Sequence, residues 1–338
     1  MRNIPVIALT GYLGAGKTSL LNHVLRTPKA RLGVIINDFG DLNVDAGLVT
    51  GQVDEPSSIT GGCVCCLPDN GGLDDALAKL TDPRLDLDAI IVETSGLADP
   101  VAVAQLIRFS GVDGVRPGGI VDVVDATTHF DVVDRDPSPP ARYAAASLIV
   151  VNKLDQLPED DRQPLLERIE QRVRERNPLA PVVGTVGARI DPALLYDLPG
   201  SGDEPGQLSF RELLFDSADH DHEHAHADAV TVTSSGCIDP GKLLDLLEDP
   251  PSGVYRVKGT IAVRYRSAAR AYVVHLVGPS IHVSTAPATA TPNSLVAIGM
   301  DLDTEHVRAL LHDVLAPHDG NAQAGAIRRL QRYRRLSL

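Results

Sequence analysis

The 338-residue chain carries 31 basic and 45 acidic residues, a formal charge of −14, with 43% hydrophobic and 22% charged positions. That length fits two domains, and that composition fits a globular protein with a sizeable core, which excludes a disordered chain. The acidic balance argues against a nucleic-acid binder, which needs clustered positive charge, and no apolar run reaches the roughly 18–20 residues of a membrane span.

From the N-terminus, Met1 to Pro5 lead directly into a strand pattern without a leader-type apolar region, so the sequence reads as cytoplasmic. Ile4 to Thr10 reads as a buried strand, and Lys17 to Arg26 as a helix with Leu20, Leu21, Val24 and Leu25 on one face. Further strands are expected at Leu32 to Ile36, Ala89 to Val92, Gly119 to Val124, Leu148 to Val151 and Val182 to Val183. Helices fit Leu73 to Leu80, Val101 to Phe109 and Glu159 to Arg176. Apolar strands alternating with amphipathic helices predict an α/β domain built on a mostly parallel sheet.

A Pro- and Gly-rich loop at 199–206 ends that pattern, and a polar tract, Asp216 to Asp228, carries four histidines. A smaller α+β module is expected beyond it. Its strands are read at Ala229 to Thr233, Tyr255 to Val263, Ala271 to Val277, Ile281 to Ser284 and Ser294 to Ile298, and its helices at Gly241 to Glu248 and Thr304 to Leu315. The boundaries read as 1–205 for the first domain, 206–228 for a His-rich linker, 229–320 for the second domain and 321–338 for a basic tail.

Lysine occurs six times against 25 arginines, and two of the six lie in nucleotide-binding patterns. Gly11-Tyr12-Leu13-Gly14-Ala15-Gly16-Lys17-Thr18 matches G-x-x-x-x-G-K-[ST] between a strand and a helix start. Such a loop turns successive N–H groups toward phosphates, and the helix start from Lys17 through Ser19 adds its positive end. Lys17 is expected to reach the β- and γ-phosphates and Thr18 to bind Mg²⁺. Glu93 ends an apolar run and precedes Thr94-Ser95-Gly96, a placement suited to holding Mg²⁺ directly or through water, with Gly96 offering an N–H to the γ-phosphate. Asn152-Lys153-Leu154-Asp155 follows a strand, so Asp155 can accept both donors of guanine, Lys153 can lie over the base and Asn152 can hold neighbouring loops. This pattern selects GTP over ATP.

Three of the four cysteines fall in Gly62-Cys63-Val64-Cys65-Cys66. Soft thiolates suit Zn²⁺ or another transition metal, and three of them leave the coordination sphere incomplete, as a carrier that must release its ion requires. In an extended chain His220, His222, His224 and His226 fall on one side, where neutral imidazoles could gather metal. A redox use of the cysteines and a merely solvated linker are the alternatives.

These motifs resemble the CobW-type GTPases, a metallochaperone branch of the P-loop GTPases. The likeness extends through Ile36 to Asp41 with Asp45, Val124-Asp125-Ala126 and Arg256-Val257-Lys258-Gly259. It implies hydrolysis of GTP coupled to delivery of zinc, cobalt or another metal to a client metalloprotein. It also places Asp38 and Asp41, where the family carries glutamate, in the loop answering to the γ-phosphate, and His129 where some members hold a metal-binding histidine. A metal buffer or sensor with weak GTPase activity, and a cobalt-insertion accessory protein, are the rival readings.

Overall fold

The computed structural model describes residues 3–27, 30–37, 66–68, 72–96, 98–196, 227–266, 268–286 and 293–337. The chain divides into two compact units, Met1–His226 and Ala227–Leu338.

Among the described residues of the first unit, seven parallel strands form one sheet: β1 (Ile4–Gly11), β2 (Leu32–Asn37), β3 (Cys66–Pro68), β4 (Ala89–Thr94), β5 (Val115–Asp125), β6 (Leu148–Asn152) and β7 (Val182–Gly184). Their order is β3-β2-β4-β1-β5-β6-β7, which sets β1 at the centre with β4 and β5 beside it. The apolar runs are strands because both faces are covered. Val6, Ala8, Ile35, Ile90 and Val92 pack on α2 (Leu73–Leu80) and α3 (Pro100–Arg108). Val124, Ile149 and Val151 pack on Ile169 and Val173 of α5 (Glu159–Arg176). Helix α1 (Lys17–Leu25) lies against β1 and β4 and buries Leu20, Leu21 and Val24, while α4 (His129–Val132) is a single turn after β5.

Strand β5 starts four residues before the expected Gly119. Pro117-Gly118 reads as a break, yet the pairing with β1 steps from Val6↔Pro117 to Ile7↔Gly119, so a bulge takes up Gly118 and the strand continues.

The second unit holds an antiparallel sheet of β8 (Asp228–Thr233), β9 (Val254–Tyr265), β10 (Ala268–Val277), β11 (Ser280–Thr285) and β12 (Ser294–Gly299), in the order β11-β10-β9-β12-β8. One face of this sheet, including Val230, Val257, Val274 and Val283, packs on α6 (Pro240–Glu248), α7 (Thr304–Val314) and α8 (Ala324–Leu336). The arginine-rich C-terminal stretch is therefore largely helix. Leu330 is fully buried, and Arg329 pairs with Asp245 at 2.9 Å and Glu248 at 2.7 Å on α6.

Candidate functional site

The central strand delivers the chain into a tight turn. Gly11, Gly14 and Gly16 have φ of 144°, 78° and 106°, backbone states that disfavour a side chain, and Gly16 starts α1. Ala15 is buried and its N–H donates to the Tyr12 carbonyl. Lys17, 8% exposed, turns back over the loop, its Nζ donating to the carbonyls of Gly11 at 2.9 Å and Tyr12 at 3.2 Å. Thr18 Oγ1 donates to Glu93 Oε1 at 2.7 Å across the β1–β4 pair, while Ser19 lies on the exposed side of the first helical turn. A hydroxyl and a carboxylate in contact supply the hard oxygen donors that Mg²⁺ takes, so the residues present fit that ion.

Gly96, just after β4, packs on the loop so closely that a Cβ there would lie 2.5 Å from the Leu13 nitrogen. On the opposite side Asn152, at the end of β6, is 3% exposed. Its Nδ2 donates to the Ala15 carbonyl at 2.9 Å and its Oδ1 accepts from the Ala188 N–H at 2.8 Å. One side chain thus ties the loop at Gly11–Thr18 to the turn after β7. Ala188 itself, with φ 56°, was not among the residues singled out from sequence; only the preceding Gly187 marks a turn there.

Lys153 has φ 66° and donates to Asp125 Oδ2 at 2.6 Å. Burial pushes the Asp125 carboxyl up, but the hydrogen bonds from Lys153 and Thr127 outweigh it and hold it below the usual range. Asp155 sits exposed in the short turn Leu154–Gln156 that follows. Gly11, Gly14, Ala15, Gly16, Lys17, Thr18, Glu93, Gly96 and Asn152 therefore converge on one end of the sheet, with Lys153 and Asp155 adjoining Asn152 in the chain.

His129 is enclosed, at 1% exposure. Its Nε2 lies 2.6 Å from the Tyr143 hydroxyl, which donates in turn to Asp134 Oδ2 at 3.3 Å. Its Nδ1 has no hydrogen-bond partner among the described residues. Burial lowers its pKa to about 4, Asp134 opposing only in part, and the same burial raises Tyr143. Among the described residues no three His, Cys, Asp or Glu side chains gather where they could hold a metal ion. Cys66 opens β3; Asp38, Asp41, Cys63, Cys65, His220, His222, His224 and His226 lie outside the described residues.

Two family descriptions match the chain: "CobW/HypB/UreG, nucleotide-binding domain" over residues 5–184, and "Cobalamin synthesis protein cobW C-terminal domain" over residues 227–315. The Escherichia coli protein named "Zinc chaperone YjiA" is 31% identical over 207 residues, 59% of this chain and 63% of that one. The Schizosaccharomyces pombe "Zinc-regulated GTPase metalloprotein activator 1" is 31% identical over 213 residues, 60% of this chain and 50% of its own. The Pseudomonas aeruginosa "Zinc chaperone CobW" is 32% identical over 190 residues, 46% and 50%. The chain thus spans between half and just under two thirds of these relatives' lengths.

Proposed function

The chain belongs to the CobW/HypB/UreG family, and from that membership we propose that it hydrolyses GTP to deliver a transition metal ion, zinc, to a client metalloprotein. The observation that carries the nucleotide half is the Asn152 bridge. It joins the backbone at Ala15 to the turn at Ala188, so the loop that would cradle phosphates and the Lys153–Asp155 stretch that would read the base share one anchor.

In this reading Lys17 exchanges its two carbonyl partners for the β- and γ-phosphates, a move within reach of a long flexible side chain. Thr18 and Glu93 would hold Mg²⁺, directly or through water, and the ion would neutralise phosphate charge. Gly96 offers its N–H beside the loop, and Asp38 and Asp41 answer to the γ-phosphate. Asp155 accepts the two donors of guanine, with Lys153 against the base, kept in place by Asp125.

The cargo ion is held by the thiolates of Cys63, Cys65 and Cys66, with His220, His222, His224 and His226 gathering further metal. His129 stays a candidate through Nδ1 alone, since its Nε2 is engaged by Tyr143 and its ring is closed off from solvent.

The test is zinc affinity by chelator competition in the nucleotide-free, GDP-bound and GTP-analogue-bound protein. Reciprocity requires that if GTP tightens zinc binding, zinc tightens GTP binding by the same factor, on the order of 5–150-fold for a useful coupling. Tight binding with the GTP analogue, weaker binding with GDP and loss of the difference in Cys65→Ala support delivery. Equal zinc affinity in all three states leaves hydrolysis no means of driving release and refutes it.

A further inference from the structure

Strand β5 carries an acid where its neighbours are apolar. Asp122 is fully buried, in register with Thr10, the residue just ahead of Gly11. Thr10 Oγ1 donates to its Oδ1 at 2.9 Å. Arg142, on the short turn Ala141–Ala144, donates to it twice, Nε to Oδ2 at 2.8 Å and Nη2 to Oδ1 at 2.5 Å. Stability alone does not call for such a pair, because apolar residues of similar volume often serve a buried site as well or better.

The guanidinium has a second contact. Its carbon lies 4.7 Å from the centroid of the Tyr12 ring, the first residue after Gly11. The Tyr12 carbonyl in turn receives both Lys17 Nζ and the Ala15 N–H. A continuous set of contacts therefore runs from the buried carboxylate through Arg142 and the Tyr12 ring to the backbone that seats Lys17. With Gly96 packed on Leu13 and Asn152 on Ala15, it gives the turn a hold on each of three successive stretches.

We propose that Arg142 is a positioning residue for nucleotide binding, which through Tyr12 keeps the Gly11–Thr18 loop in its binding shape before nucleotide arrives. This rests on the reading of that loop as a phosphate cradle. Preorganisation spares the ordering cost of binding and acts on GTP and GDP alike, so its loss falls on KM more than on kcat.

The experiment compares Tyr12→Leu, Tyr12→Phe, Arg142→Lys and the Tyr12→Leu plus Arg142→Lys double variant with the unmodified protein. Its readouts are hydrogen exchange of the 13–17 amides without nucleotide, GDP and GTP affinity, and the split between KM and kcat. Tyr12→Leu leaves the Asp122–Arg142 pair in place and alters a ring that is 36% exposed, so the fold is retained. Faster exchange at 13–17 and GDP and GTP binding weakened together by about 3–30-fold are expected, the span of a cation–π contact. Tyr12→Phe keeps the π face but drops the hydroxyl that also bonds Arg142, so it should recover part of that loss. Arg142→Lys, with a cation but no planar fork, should match Tyr12→Leu, and the double variant should add little. Unchanged exchange in Tyr12→Leu, no recovery in Tyr12→Phe, or full additivity would overturn the assignment. An unmodified protein that binds no guanine nucleotide instead refutes the proposed function, while the exchange readout still decides the role of Arg142.

Discussion

Replacing Asn152 with alanine removes a side chain that answers two buried backbone groups, the Ala15 carbonyl and the Ala188 N–H. With the site 3% exposed, each group left unpaired costs about 1–3 kcal/mol, so the expected loss is about 2–6 kcal/mol. For a domain of about 200 residues that lowers the melting temperature by about 4–24 °C. Asn152→Asp keeps the acceptor for Ala188, and opposite the Ala15 carbonyl it must either set a carboxylate oxygen or take up a proton, so its stability should fall as pH rises. Gly16 points to the same geometry, since a Cβ there would lie 2.2 Å from Asn152 Nδ2. Calorimetry on the nucleotide-free protein, followed by GDP titration, reads both effects. If Asn152→Ala proves as stable as the unmodified protein, the two bonds hold nothing and the bridge as described is wrong.

Gly96→Ala should cut GTP turnover at least about tenfold and lower the melting temperature, because the added Cβ displaces either the Leu13 backbone or the turn after β4; unchanged turnover and melting would refute that close approach. His129 sets a pH dependence. Its pKa falls from 6.5 to about 4 on folding, so the unfolded chain takes up the proton first as pH drops. Its contribution is full above pH 6.5, is lost progressively down to about 4 and does not fall further below, about 3 kcal/mol in all. His129→Gln should flatten that part of a melting-temperature profile, and an identical profile would show that the ring does not titrate this way. Leu330→Ala should destabilise the second unit by about 2–5 kcal/mol; a melting transition matching the unmodified protein would place α8 outside the core.

The strands of the first unit were legible because burial on both faces leaves near-continuous apolar runs such as Ala89 to Val92 and Leu148 to Val151. Helix α8 was read as a basic tail because its arginines dominate the composition. Ile327, Leu330 and Tyr333, spaced by three and set against the core, were the signal for a packed face. Strand β3 gave little to read, since three residues carry no period. For the candidate site, the phosphate-loop pattern and Asn152 could be picked out locally because each follows its strand end directly. Arg142 could not, since its partner Asp122 lies 20 residues away and Tyr12 much further. The unread signal was the acid inside the apolar run Ile120 to Val124, which needs hydrogen-bond partners once buried.

Strand β3 also bears on the cargo. The Cys66 backbone is a rung of the sheet, paired to Val34, which is itself opposite Ile91. Three residues further along β2, about 10 Å at the rise of a strand, Asn37 is opposite Thr94, the neighbour of Glu93. A backbone held on a rung fixes the point from which the Cys66 side chain starts, so in the proposed delivery any travel of the ion at this residue is confined to what rotation of one side chain allows.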